Sequence, residues 1–284
     1  MQCVWALLLC AALAAGRSFS DLEYAQVNGQ SLRLDGYIPE GSGPFPAAIL
    51  VHGGGWVTGD KTHSVRPLFQ PLARAGVAWF SINYRLARGP NPEALISLEG
   101  LATLANASED VRSAVRFVRA HAAEWNLDSQ RMVLIGESAG AHLASMAALR
   151  PAPGSGVEAV VAFYSPSDLV DLVETSPSIP ELLRRAVRGT PLEALLLQGL
   201  RQLSPRTWVR AGAPPFLMIH GTADALVPFH QSEAMCDALR SAGNLCELVP
   251  VPGGGHGVGG WERAGLDFYK DRMLDWLRGL LGLK

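Results

Sequence analysis

From about Leu22 onward the chain alternates short, continuous apolar runs with longer amphipathic stretches. Ala47–His52, Val77–Asn83, Met132–Gly136, Ala159–Tyr164, Phe216–His220 and Leu245–Val251 are the apolar runs, rich in aliphatic and aromatic residues. Continuous rather than alternating hydrophobicity over so few residues predicts strands covered on both faces, as in a parallel sheet. Between the runs, apolar residues spaced three and four apart predict helices. Ser108 reads as the cap of one, with Val111, Val115, Val118 and Ala122 on one stripe and Arg112, Arg116 and Arg119 turned outward. Further helices are expected after Ser138, over His230–Ser241 and over Arg263–Leu281. Leu22–Val27 and Ser31–Tyr37, joined at Asn28-Gly29, predict an opening antiparallel hairpin. The fold class is therefore α/β: a single doubly wound, mostly parallel sheet with an N-terminal antiparallel hairpin.

Composition narrows the function classes. With 48% hydrophobic and 18% charged residues, the chain can bury a core and is not intrinsically disordered. Its 24 Lys+Arg balance 26 Asp+Glu, and the basic residues are scattered, so nucleic acid is not an expected partner. No repeat or linker divides residues 17–284, which read as one domain. Four cysteines are too few for a disulfide scaffold, and none forms a Cys-x-x-Cys pair, which excludes zinc-finger and thioredoxin chemistry.

Two of these cysteines, Cys3 and Cys10, lie in the first sixteen residues. There an apolar run from Val4 to Ala15 is shorter than the ~20 residues that span a bilayer. With Ala12-Leu13-Ala14 as an A-x-A site, residues 1–16 read as a secretory signal peptide, and the mature protein as secreted or periplasmic, without a stable membrane span. An uncleaved anchor or a buried first helix is the alternative. Cys236 and Cys246 then remain, and an oxidising compartment would let them pair as a disulfide across a short loop, the alternative being two separate buried thiols.

The chemistry gathers at the carboxyl ends of the predicted strands, where open α/β sheets place their sites. Gly136-Glu137-Ser138-Ala139-Gly140 follows one strand and opens a helix, the strand–turn–helix setting that a G-x-S-x-G nucleophile elbow requires. Glycines flank the serine because side chains would collide at so sharp a turn. His52-Gly53-Gly54-Gly55-Trp56 follows another strand, and its glycines let backbone N–H groups face an oxyanion. A serine nucleophile needs a base, and the base an orienting carboxylate, in the chain order Ser…Asp/Glu…His. Asp224 and His256 follow two successive strands in that order. His220 and His230 fall out of order, Asp168 and Asp171 precede the strand that should carry the acid, and His142 is placed to pack one turn below Ser138.

These residues, together with Asn83-Tyr84-Arg85-Leu86 and Val227-Pro228, resemble the α/β-hydrolase superfamily, and within it serine esterases similar to hormone-sensitive lipase. The character is closest to secreted bacterial esterases that resemble feruloyl and acetylxylan esterases. The resemblance implies Ser138 as nucleophile, Asp224 as orienting acid, His256 as base, and the N–H groups of Gly54, Gly55 and Ala139 as the oxyanion hole. The chain departs from many such relatives in lacking a long helical cap before the hairpin. Any lid is expected instead from 165–212, with its five prolines around the helical patterns Glu181–Val187 and Leu192–Leu203. Leu195-Leu196-Leu197 could line a pocket there or pack inward. Trp56 and Trp261 are candidates to stack on an aromatic or sugar group of the substrate, packing being an equal contender.

The expected function is a serine carboxylesterase acting on short-chain, aryl or carbohydrate esters, free or polysaccharide-linked, without metal or organic cofactor. An amide hydrolase, similar to kynurenine formamidases or peptidases, is the alternative. A non-catalytic ligand-binding module, of the kind seen in gibberellin receptors, is the third reading. The complete Ser-Asp-His set argues against that last class. Oligomeric state is not legible.

Overall fold

The computed structural model describes residues 16–87, 97–176, 189 and 193–283. The opening hairpin pairs β1 (Arg17–Val27) with β2 (Gln30–Ile38). It turns where expected, with Asn28 and Gly29 both at positive φ, the conformation of a tight two-residue hairpin turn. The strands β3 (Phe45–Val51), β4 (Ala78–Ile82), β5 (Leu127–Glu137), β6 (Ala159–Phe163), β7 (Phe216–Gly221) and β8 (Cys246–Val251) coincide with the six apolar runs within a few residues. β5 departs most, because it extends back through polar Asp128–Arg131. Together they form one eight-stranded sheet in the order β1-β2-β4-β3-β5-β6-β7-β8, antiparallel at β1/β2 and β2/β4 and parallel elsewhere.

Successive residues of each parallel strand point to opposite faces, and both faces are covered. Ala47, Ile49, Leu134, Val160, Ala162 and Met218 join one core with α2 (Leu98–Ala120), α3 (Ala139–Leu149) and α6 (His230–Ser241). Ala48, Leu50, Val133, Ile135, Val161 and Leu217 join the other with α1 (Phe69–Arg74), α7 (Val258–Arg263) and α8 (Tyr269–Leu281). Among the described residues between β6 and β7 lie the short helices α4 (Leu169–Thr175) and α5 (Glu193–Gln202).

Several helix expectations need correction. α2 starts at Ser97, whose side chain accepts the Gly100 N–H at 3.0 Å, and not at Ser108. Ser108 lies inside the helix and donates back to the Leu104 carbonyl. Arg112 is not on the solvent face. It is buried, and its guanidinium donates to the Arg150 and Met146 carbonyls at the end of α3. The expected C-terminal helix is two, α7 and α8, separated at Gly265 with positive φ. In the segment 165–212, α5 matches the second helical pattern, with Leu196 buried and Leu195 exposed. Glu181–Val187, and the expected signal segment up to Ala15, lie outside the described residues. No helix among the described residues is long and apolar enough to cross a membrane.

Candidate active site

β3 and β5 are adjacent, but the chain leaves them in opposite directions across the sheet, toward β4 and toward β6. Loops diverge at such a switch point and open a crevice at the carboxyl ends of the strands. Gly53 follows β3 and Ser138 follows β5, with Val51 in register with Gly136. Ser138 adopts φ 53° and ψ −120°, a conformation strained for a residue with a side chain. Its neighbours hold it there. The Ser138 N–H donates to the Phe163 carbonyl at 2.9 Å, and its carbonyl accepts from His142 N–H at 3.0 Å. A Cβ on Gly140 would lie 2.1 Å from the Val51 carbonyl oxygen, and one on Gly136 2.4 Å from that of Gly140. Both flanking glycines are therefore dictated by backbone contact.

Asp224 follows β7 and His256 follows β8, and the fold brings both to Ser138. His256 Nδ1 is 2.7 Å from Asp224 Oδ2, and His256 Nε2 is 2.9 Å from Ser138 Oγ. A carboxylate only accepts, so Nδ1 carries the proton and Nε2 is left to accept from the serine hydroxyl. Asp224 Oδ1 accepts the Leu226 and Val227 N–H groups, each at 2.9 Å. Burial opposes ionisation of Asp224, but hydrogen bonds from His220, His256 and Val227 outweigh it and hold the carboxyl well below the usual carboxylate range. His220 thus sits beside the acid rather than the serine. Its Nε2 lies 2.9 Å from the Val227 carbonyl and 3.4 Å from Asp224, and Ser232 Oγ is 2.7 Å from Nδ1.

The N–H of Gly53 is taken up by Ser64 Oγ at 3.0 Å. Among the described residues, no hydrogen bond occupies the N–H groups of Gly54, Gly55 or Ala139. Ala139 opens α3, where the helix dipole adds positive potential.

Both tryptophans offered as candidates to stack on substrate, with packing the equal alternative, are buried. Trp56 is 8% exposed, and its indole N–H donates to His142 Nδ1 at 3.2 Å in an edge-on ring contact. Trp261 is 1% exposed, and its indole N–H donates to the Gly255 carbonyl at 2.7 Å. Each indole thus pairs with a buried polar group in the wall of a site loop, the packing role that stood beside stacking. His142 packs as expected: it is buried, burial pushes its imidazole down to about 4, and Nε2 reaches the Leu203 carbonyl at 2.7 Å. Asp168 caps α4, and Asp171 lies 2.6 Å from His230, so neither serves the serine. Cys236 and Cys246 are joined by a disulfide with Cα atoms 5.3 Å apart, tying α6 to β8.

Two residues beneath the site escaped the sequence reading. Glu137, the variable position of the elbow, is buried, and its Oε2 accepts from the Tyr164 hydroxyl at 2.9 Å. Burial pushes this carboxyl up to about 8, against the nearby hydroxyls of Tyr164 and Ser64 and with a small contribution from the Glu262 charge. Tyr164, at φ 38°, places its ring edge-on to His256 at 4.6 Å and accepts the Val258 N–H at 3.2 Å. Position in a motif could have flagged Glu137; only the fold reveals Tyr164.

Comparison with known proteins agrees with this architecture. “Probable carboxylic ester hydrolase LipM” of Mycobacterium tuberculosis is 35% identical over 70% of this chain and 46% of its own length. An acetylxylan esterase of Xylanibacter ruminicola is 28% identical over 86% of this chain and 47% of its own. The chain thus spans about half the length of these curated relatives. Among solved structures, Thermogutta terrifontis esterase 2 phosphorylated by paraoxon superimposes with a TM-score of 0.70 at 29% identity, covering 95% of this chain and 94% of that one. The same esterase with propionate bound gives 0.72 at 28% identity, over 94% and 93% of the two chains. The BD-FAE family model matches residues 34–239, which include the glycine loop, the nucleophile elbow and Asp224. With its α/β-hydrolase fold, the chain belongs to the BD-FAE family.

Proposed function

We propose that this protein is a serine carboxylesterase whose reaction runs through Ser138, His256 and Asp224. The observation that carries the reading is the continuous hydrogen-bonded chain from Asp224 through His256 to Ser138 Oγ, at 2.7 and 2.9 Å. Both distances lie within the reach that proton transfer requires. Ser138 Oγ attacks the ester carbonyl carbon as its proton passes to His256 Nε2. Asp224, held ionised, stabilises the imidazolium that results. Charge developing on the carbonyl oxygen is met by the N–H groups of Gly54, Gly55 and Ala139. His256 then protonates the departing alcohol oxygen, leaving an acyl-Ser138 ester, and activates a water that releases the acid.

The esterase names of the relatives and the paraoxon-modified neighbour support ester chemistry. Propionate bound in the same neighbour favours a short acyl group. The disulfide between Cys236 and Cys246 supports an exported enzyme, because such bonds persist in oxidising compartments. Ser138→Ala should leave the fold intact and lower kcat on p-nitrophenyl acetate by about 10⁶-fold. Undiminished hydrolysis by that variant contradicts the proposal. Parallel assays on p-nitrophenyl esters of increasing chain length, methyl ferulate, acetylated xylan and N-formylkynurenine resolve the substrate class and separate ester from amide chemistry.

A further inference from the structure

We propose that Glu137 is a positioning residue whose buried carboxyl holds Tyr164 and, through it, the histidine loop beneath Ser138. The inference rests on the hydrolase reading and adds to it a group that touches none of the reacting atoms.

Glu137 Oε2 accepts from the Tyr164 hydroxyl at 2.9 Å. Tyr164 in turn accepts the Val258 N–H at 3.2 Å, two residues past His256, and supports the His256 ring edge-on at 4.6 Å. The Ser64 hydroxyl, which holds the Gly53 N–H at 3.0 Å, lies near the same carboxyl. The Tyr164 contact depends on one carboxyl that the chain places one residue before the nucleophile.

The protonation state follows from what faces it. Glu137 is 2% exposed, and its Oε1 has no hydrogen-bond acceptor or donor in standard geometry among the described residues. Among the described residues, the ionisable groups around it offer no cation. They are Tyr164 after β6, Tyr269 at the start of α8, and Glu262 in α7, whose own carboxylate is paired with Lys270. His52 in the glycine loop is held neutral, since burial pushes it down to about 4. A neutral acid can accept from Tyr164 through one oxygen and donate toward Ser64 through the other; a carboxylate can only accept. Glutamine reproduces the neutral pattern, with its carbonyl toward Tyr164 and its amide toward Ser64.

The test measures kcat and KM on p-nitrophenyl acetate from pH 5 to 10 for wild type, Glu137→Gln and Glu137→Ala. It also measures the rate at which a fluorophosphonate probe labels Ser138 in each. Glu137→Gln is expected to keep kcat within about threefold of wild type at pH 7. Wild type should lose kcat/KM above pH 8, where Glu137→Gln should not. Glu137→Ala should lower kcat and the labelling rate at least tenfold with KM little changed. Superposed pH profiles for wild type and Glu137→Gln overturn the inference, as does a Glu137→Ala variant with wild-type labelling. A loss of activity in Glu137→Gln as large as in Glu137→Ala also overturns it, because a carboxylate would then be required. Wild type that neither hydrolyses the ester nor takes the probe contradicts the hydrolase reading and this inference together.

Discussion

Ser138 keeps a backbone conformation that costs about 1–3 kcal/mol, and residues that never touch a substrate maintain it. The Phe163 carbonyl, the first turn of α3 and the glycines at 136 and 140 confine it. Glu137 shows the same economy at a titratable group. The unfolded chain ionises this carboxyl near its ordinary value of 4.5, whereas the folded protein keeps it neutral to about 8. Its contribution to stability is therefore intact below the lower value and is lost progressively as pH rises to the higher one. Glu137→Gln removes that loss. Calorimetry should find the variant gaining on wild type between pH 4 and pH 7, by on the order of 3 kcal/mol. A stability difference that stays constant across that range contradicts the buried neutral acid.

At the scale of elements, what the sequence made legible depended on whether one strand or helix carried the pattern alone. β3, β6 and β7 were visible because burial on both faces demands unbroken apolar runs. The polar start of β5 was not, since Asp128–Arg131 lie in the strand without lining either core. The first turns of α2 were hidden by Gly100, Thr103 and Asn106, which blur the helical period before Val111 restores it. Ser138, Asp224 and His256 could be ranked from motif and chain order, although 118 residues separate the first from the last. Trp56, Trp261, Glu137 and Tyr164 could not, because their roles are set by partners brought in from other strands and loops. The elbow itself gives an element-scale prediction. Gly140→Ala forces a methyl group onto the Val51 carbonyl at 2.1 Å, where neither β3 nor α3 can yield. Urea denaturation should show a loss of about 3 kcal/mol or more, and a loss below about 1 kcal/mol would mean that the close approach of α3 to β3 is misjudged.

Across the whole molecule, the sheet collects groups from the ends of β3, β5, β7 and β8 into one crevice, so the site is only as firm as the sheet edge behind it. β8 is the outermost strand on the histidine side and carries the loop that ends at His256. The disulfide from α6 to the first residue of β8 anchors that edge. Replacing Cys236 and Cys246 together by serine should lower the unfolding free energy by about 2–3 kcal/mol under oxidising conditions. The same variant should be insensitive to dithiothreitol, whereas wild type should fall toward it. Equal stability of wild type with and without reductant would show that the bond does not support this edge.

The central claim is that Ser138 is the nucleophile of an ester hydrolase, and modification by paraoxon tests it most directly. Intact-mass measurement after stoichiometric treatment should show a single diethylphosphoryl adduct, with peptide mapping placing it on Ser138 and loss of p-nitrophenyl acetate hydrolysis in proportion to the modified fraction. An adduct on another residue, or full activity in protein modified at Ser138, would contradict the account.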